Sequence, residues 1–251
     1  MKVQEFINTA VKIATEYKTL YVYGCFGAPL NKKNKARYKN NNDFNRDKTR
    51  QAMIDKATAD TFGFDCVCLI KGILWGWNGN KNKTYGGASY LSNCVPDVGA
   101  DTMMNRYCAE QSTDFTTIKP GEAVWMSGHI GIYIGDGKVV ECTPKWENCV
   151  QITNLGNTGR HDGHWRNWKK HGFLPWIDYT EETVTPELPK VETTETKSLI
   201  GTREYQVKKG DTLSKIANRY GTTVEKIVSD NKPRYVRISN NFICAGWKLL
   251  V

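Results

Sequence analysis

The sequence has few histidines, four in 251 residues, and no apolar run approaching the roughly 18 residues that a membrane-spanning helix requires. No membrane insertion is therefore expected. The first eighteen residues interleave Glu5, Lys12 and Glu16 with spaced apolar positions, the pattern of an amphipathic helix. They lack the continuous apolar core and small-residue cleavage site of a secretory leader, which leads to the expectation of a chain made in the cytoplasm without a signal peptide. The scarcity of histidine also limits metal chemistry. Cys66-x-Cys68 is too tight for the usual zinc-pair spacing, and no second pair accompanies it. The loop His161-Asp162-Gly163-His164 fixes no ligand geometry because of its glycine. No metal and no organic cofactor are expected.

Cysteine, by contrast, is present in quantity, with eight residues. An even count can mean a disulfide framework, but a chain of this size without an export leader favours buried, reduced thiols. Cys142 and Cys149 are the pair that could approach across the loop Thr143–Asn148. The net charge of +9 reads first as a solvated surface and second as attraction to anionic wall polymers. A nucleic-acid partner comes a distant third, because no recognition motif of standard spacing accompanies the basic residues.

The hydrophobic pattern divides the chain. Residues 180–202, rich in Thr, Glu, Pro and Lys, offer little to anchor a core and read as a flexible linker. Residues 1–179 form one domain and residues 203–251 a second, small one. In the first, Phe6, Ile7, Ala10, Val11 and Ala14 mark a helix over Val3–Tyr17. Asn31 to Arg50 reads as a polar surface insertion, followed by a short helix over Gln51–Thr61. An apolar run from Cys66 to Trp77, opened by Asp65 as N-cap, reads as a buried helix. Strands follow at 122–126, 130–134 and 138–142, with Gly135-Asp136-Gly137 as turn chemistry. A helix followed by several strands makes the fold class α+β.

Cys66 and His129 are the candidate catalytic pair. Cys66 lies just inside the start of its helix, where unpaired N–H groups and the helix dipole favour a thiolate and a developing oxyanion. His129 opens an alternating strand that would hold an imidazole rigidly, and Glu141 on the return strand could orient it. Parity makes that a geometric claim. The two side chains share a face only if paired positions sum to an even number, which calls for an odd-length loop such as Gly135-Asp136-Gly137 with Gly137 at positive φ. A two-residue turn would place them on opposite faces. Asp65 reads as a cap and Cys68 as core. His171 reads as structural.

The segments Tyr21-Val22-Tyr23-Gly24, Phe64-Asp65-Cys66-Val67-Cys68-Leu69, Lys119-Pro120-Gly121-Glu122-Ala123-Val124 and Gly128-His129-Ile130-Gly131-Ile132-Tyr133-Ile134-Gly135 resemble, in that order, the NlpC/P60 cysteine peptidase family. The Phe-Gly-Phe-Asp-Cys run, Val139-Val140-Glu141 and Gly172-Phe173-Leu174-Pro175-Trp176 are most similar to its phage endolysin members. The resemblance implies a papain-like domain of helices packed on a small antiparallel sheet. It makes Cys66 the nucleophile, His129 the base, Glu141 the orienting group and Tyr21 an active-site wall or hydrogen-bond donor. Three departures stand out. Val67-Cys68 replaces a small-Gly pair after the nucleophile, Glu141 stands where His, Asn or Gln is more usual, and the stretch from Gly24 to Asp65 is long.

In the second domain, the strand-like Tyr205–Lys209 leads into the turn Gly210-Asp211-Thr212. Leu213, Ile216, Ala217 and Tyr220 then mark one helical face. Gly221 ends that helix, Thr222-x-x-Glu225 reads as a capping box for a second, and a last strand lies within Ile243–Val251. This βααβ order, with Tyr-x-Val-x-x-Gly-Asp-Thr-Leu-x-x-Ile-Ala, Asn231 and Gly246-x-x-Leu249, resembles a LysM domain. The resemblance implies binding to N-acetylglucosamine-containing chains through Gly210, Asp211, Thr212, Leu213, Asn231 and Ile243. The stretch between Asn231 and Phe242 is longer than the family's.

Together these readings give a monomeric peptidoglycan hydrolase acting at the bacterial cell wall, after holin release if phage-borne. Its expected partners are GlcNAc-containing glycan and stem peptides. A D-glutamyl–diamino acid endopeptidase is the leading expectation. An N-acetylmuramoyl-L-alanine amidase and a non-catalytic wall-binding protein are the alternatives.

Overall fold

The computed structural model describes residues 1–180, 204–235, 238–239 and 243–251. It divides into two units, Met1–Ile177 and Asp178–Val251. Apart from Thr180, the linker expected over residues 180–202 lies outside the described residues, as does Phe242.

Helix α1 (Val3–Glu16) buries Phe6, Ile7, Ala10 and Ile13, one stripe at helical spacing. Val11 and Ala14, expected on that stripe, are only half-buried, and Ile13 takes the inner position. Strands β1 (Thr19–Tyr21), β2 (Phe26–Pro29) and β3 (Phe62–Phe64) form a small sheet in the order β1-β3-β2, with β1 parallel and β2 antiparallel to β3. The chain then enters α5 (Cys66–Leu74), all nine of whose residues are buried. Two features set the start of this helix. The Asp65 backbone is extended, and its Oδ1 accepts the Cys68 N–H at 2.7 Å. Its Oδ2 accepts the Gly24 N–H at 2.7 Å, tying the helix cap to the turn between β1 and β2. The helix stops at Leu74, short of the expected Trp77, because Gly76 after the Trp75 cap turns the backbone to φ 87°.

Between β2 and β3 the insertion is more ordered than its polar composition implies. It forms α2 (Lys32–Lys39), α3 (Asp43–Arg46) and α4 (Lys48–Lys56). Its polar residues supply the caps: Asn31, Asn42 and Asp47 each accept an N–H from the first turn of the helix they precede. Asn45 is fully buried and joins the insertion to the turn between β1 and β2. Its Oδ1 accepts the Tyr23 N–H at 3.1 Å, and its Nδ2 reaches the carbonyls of Tyr23 at 2.9 Å and Tyr38 at 3.1 Å.

After α5, a short helical segment α6 (Ala100–Thr102) continues as a π-helical turn over Met103–Tyr107. The second sheet contains β4 (Ala109–Ser112), β5 (Ala123–Met126), β6 (His129–Gly135), β7 (Lys138–Cys142), β8 (Val150–Leu155), β9 (Trp165–Arg166) and β10 (Lys170–Phe173). Their order is β4-β10-β5-β6-β7-β8-β9. This corrects the expected small antiparallel sheet: seven strands assemble, and β9 runs parallel to β8. Parallel pairing needs a crossover, here residues 156–164, and a two-residue strand has too few positions to show alternation in the sequence.

The β6–β7 hairpin meets the parity condition by an unexpected route. The ladder pairs Ile132 with Val140 and Tyr133 with Val139, sums that are even, whereas Gly135 pairs with Lys138. The turn itself is thus the two-residue Asp136-Gly137, both residues at positive φ (50° and 65°). An irregularity between Tyr133 and Gly135 adds the residue that returns the ladder to even parity.

The second unit has β11 (Glu204–Gln206), α7 (Leu213–Tyr220), α8 (Val224–Asn231) and β12 (Lys248–Leu250). β11 and β12 pair antiparallel. Tyr205, Leu213, Ile216, Ile227 and Leu249 belong to its core. Gly221 ends α7 at φ 65°. The cap of α8 is Thr223, whose hydroxyl accepts the Lys226 N–H at 3.1 Å, rather than Thr222. The Thr222 N–H is already directed at the Ala217 carbonyl, closing the preceding helix.

Replacing Asn45 by Ala would take the acceptor from the Tyr23 N–H and one donor each from the Tyr23 and Tyr38 carbonyls. A loss of about 2 kcal/mol is expected in urea unfolding of the first unit. A loss under about 0.5 kcal/mol would mean that water replaces the amide there.

Candidate active site

The site residues come from two structural sources. α5 supplies Cys66 from its first turn, and the seven-stranded sheet supplies His129, Glu141, Thr153 and Arg166 from four adjacent strands. His129 on β6 and Glu141 on β7 lie on one face, as the ladder requires. The His129 Nε2 is 2.6 Å from Glu141 Oε2. Glu141 is completely buried, and two further donors converge on it. Thr153 on β8 donates its hydroxyl to Oε1 at 2.7 Å. Arg166 on β9 places Nη2 2.9 Å from Oε2 and Nε 3.2 Å from Oε1. Burial alone would push the Glu141 carboxyl up. The hydrogen bond from His129 and the charges of His129 and Arg166 outweigh it and hold the group below the usual carboxylate range. Glu141 is therefore an anion at neutral pH.

The imidazole is fixed on its other surface by Trp168, whose ring stacks on it at 15° with centroids 5.4 Å apart. That ring explains Gly131 within the strand: a Cβ there would lie 3.1 Å from Trp168 and 2.8 Å from Val139. Before the strand, Gly128 at φ 74° donates its N–H to Asp101 Oδ1 at 2.7 Å. The same oxygen takes the Trp125 indole N–H at 2.8 Å. Asp101 thus anchors the turn from which His129 projects.

Cys66 lines a cleft of about 500 Å³ with Tyr21, Tyr23, Asp65, Lys71 and Gly128. The sulfur is placed to accept backbone N–H groups from Ile130, Val67 and Cys66 itself, so it sits against the residue that follows His129. Burial nonetheless pushes the Cys66 thiol up to about 12, with the Asp65 charge adding to the effect and these N–H groups opposing it. Desolvation of the sulfur thus opposes the thiolate that a helix start favours. Among the described residues no hydrogen bond joins Cys66 to His129. Glu141 takes Nε2, which leaves Nδ1 as the other ring nitrogen.

Tyr21 is a wall of the cleft. Its ring meets Phe44 edge-on at 5.5 Å, and the Arg50 guanidinium lies 5.7 Å from its centroid while bonding its carbonyl. The insertion thereby builds one side of the site. Asp65 is a cap, as expected, and Cys68 is buried in the core. His171 forms a second buried pair, Nδ1 2.5 Å from Glu122 Oε2, with its Nε2 2.9 Å from the Asp114 carbonyl. Among the described residues no cysteine forms a disulfide. His161 bonds the Gly156 carbonyl at 3.0 Å and His164 faces Glu147 at 3.5 Å. No group of three or more metal-ligating side chains occurs among the described residues. Arg166 and Trp168 were not singled out for the site from sequence. A lone arginine within Trp165-Arg166-Asn167-Trp168 was the available signal.

In the second unit, Gly210 (φ 90°), Asp211 and Thr212 form the turn before α7. Asp211 Oδ2 accepts the Tyr205 hydroxyl at 2.6 Å and the Lys208 N–H at 2.8 Å, and Thr212 caps α7. Leu213 is buried, and Ile243 is half-buried against the same core. Asn231 is fully buried, clasping Leu250 through N–H···Oδ1 at 2.8 Å and Nδ2–H···O at 2.9 Å.

Comparison with known proteins places part of this chain. No curated protein matches it, and no match to the NlpC/P60 family was found for the first unit. The LysM domain family matches residues 205–251. Those residues, with their β-α-α-β order and shared core, are a LysM domain, the type of module that binds peptidoglycan.

Proposed function

We infer that the first unit is a thiol hydrolase acting on peptidoglycan stem peptides while the LysM domain holds the chain on the wall. The observation that carries this reading is the buried His129–Glu141 pair at 2.6 Å beside the cleft that contains Cys66. A histidine fixed by a carboxylate, stacked on an indole and adjacent to a thiol at a helix start is the arrangement that nucleophilic acyl transfer needs. A purely structural pair, such as His171–Glu122, has a main-chain carbonyl at its other nitrogen and no cleft nucleophile.

In the proposed reaction, His129 takes the Cys66 proton through Nδ1 as the sulfur attacks an amide carbonyl. The oxyanion faces the N–H groups at the start of α5. The imidazolium, stabilised by Glu141, returns the proton to the leaving amine, and water then hydrolyses the thioacyl-enzyme. The bond assigned is that between D-glutamate and the diamino acid. The LysM domain raises the local concentration of stem peptides. Cleavage at the muramoyl–L-alanine amide is the other outcome that the same residues permit.

Mass spectrometry of purified peptidoglycan after digestion tests this. Fragments ending at D-glutamate are expected from the wild-type chain and none from Cys66→Ala. Intact L-alanine peptides would assign the amidase bond, and release unaffected by Cys66→Ala would remove the thiol mechanism.

The high Cys66 pKa gives a second prediction. In the free protein the residue rests as a thiol, and the thiolate fraction grows as pH rises toward about 12. Alkylation of the Cys66 peptide by iodoacetamide should therefore climb about tenfold per pH unit between about pH 7 and 9. A reactivity plateau near neutrality would instead reveal a preformed thiolate–imidazolium pair.

A further inference from the structure

A second groove, of about 480 Å³, adjoins the site without sharing a single lining residue with the Cys66 cleft. The two approach each other at the β5–β6 turn, where Gly128 lines one and Met126 the other. Met126 is the register partner of His129. The groove's other principal residues are Lys145, Trp146, Trp165 and Arg166.

Its chemistry is specific. Trp146 is held at φ 59°, a conformation unfavourable for a bulky side chain and one that clusters at binding sites. Its ring stacks on His164 at 13° with centroids 5.0 Å apart, and carries the Arg166 guanidinium at 4.8 Å and the Lys145 ammonium at 4.6 Å. Arg166 gives Nε and Nη2 to Glu141 and turns Nη1 toward the Met126 sulfur at 3.8 Å. Lys145 has no carboxylate partner among the described residues. The neighbouring carboxylate, Glu147, faces His164. Two cationic donors thus stand over an apolar floor of indoles and a thioether. Such a site fits an anionic group carried on a short apolar stem.

The reaction direction identifies which part of a substrate reaches it. This step rests on the hydrolase reading given above. In acyl transfer to Cys66, His129 hands its proton to the departing amine, so the leaving half of the peptide lies on the His129 side. The groove starts there. We propose that it is a subsite for the leaving half of the substrate and recognises that half's carboxylate through Lys145 and Arg166.

The test compares L-Ala-γ-D-Glu-L-Lys-D-Ala with its C-terminal carboxamide. Cleavage by the full chain should favour the free carboxylate about tenfold in kcat/KM, through KM. Lys145→Gln, at an exposed position outside the catalytic array, should reduce that preference to within about twofold while leaving carboxamide turnover unchanged. Raised salt should narrow the wild-type preference. No preference in the wild type, or a preference that survives Lys145→Gln, would overturn the subsite. Calorimetric binding of the two peptides to full-chain Cys66→Ala separates the two readings. Tighter binding of the carboxylate by Cys66→Ala with no cleavage by wild type would refute the hydrolase and retain the groove. Cleavage with equal binding would refute the groove alone.

Discussion

Glu141 is the residue around which the larger sheet is organised. A completely buried carboxylate that stays ionised requires compensating donors, since leaving it unpaired would cost several kcal/mol. Those donors come from three other strands: His129 from β6, Thr153 from β8 and Arg166 from β9. With Glu141 itself on β7, four neighbouring strands each contribute one side chain to one face. The order β6-β7-β8-β9 places them in a row. The parallel addition of β9 has its reason here, because it pairs Arg166 with Leu155 and so sets it on the face of β8 that carries Thr153.

Precise placement at one end of that row is obtained with small residues at the other levels of the fold. Gly131 leaves room for Trp168 to cover the His129 ring, and the irregularity before Gly135 restores the parity that the tight turn would have broken. The thiol is held by different means. Its position follows from Asp65, which closes the first turn of α5 and binds Gly24 at once. Burial there pushes the Cys66 thiol up, against the N–H groups that its sulfur faces.

Much of this was legible in the sequence where it depended on local chemistry. Asp65 as a cap, the buried α5, the strand at His129 and the α7–α8 pair of the LysM domain follow from periodicity and capping residues. Even parity between His129 and Glu141 could be stated as a condition, though the turn that satisfies it could not be chosen, because a bulge depends on the whole ladder. The helices inside the insertion were not legible for a physical reason. Asparagine favours loops and helix caps alike, and only tertiary contacts such as Asn45 with Tyr23 separate the two uses. Arg166 was missed because its role arises from a parallel pairing across an irregular crossover, which leaves no alternation to read.

The glutamate at 141, unusual beside the His, Asn or Gln expected from the resemblance, follows the same logic. A neutral residue at that buried position would need only hydrogen-bond partners. A carboxylate needs a cation as well, and Arg166 supplies it at 2.9 Å with 15% of its side chain exposed. The two positions are consequently coupled. A neutral side chain at 141 would leave the guanidinium largely buried without its counter-charge, and a neutral one at 166 would leave Glu141 dependent on His129 alone for charge compensation. Trp146 belongs to the unit too, since its ring lies against the same guanidinium. The departure at 141 is thus one part of a set spanning β7, β9 and the loop before β8, and it extends the charge array from the histidine to the edge of the second groove.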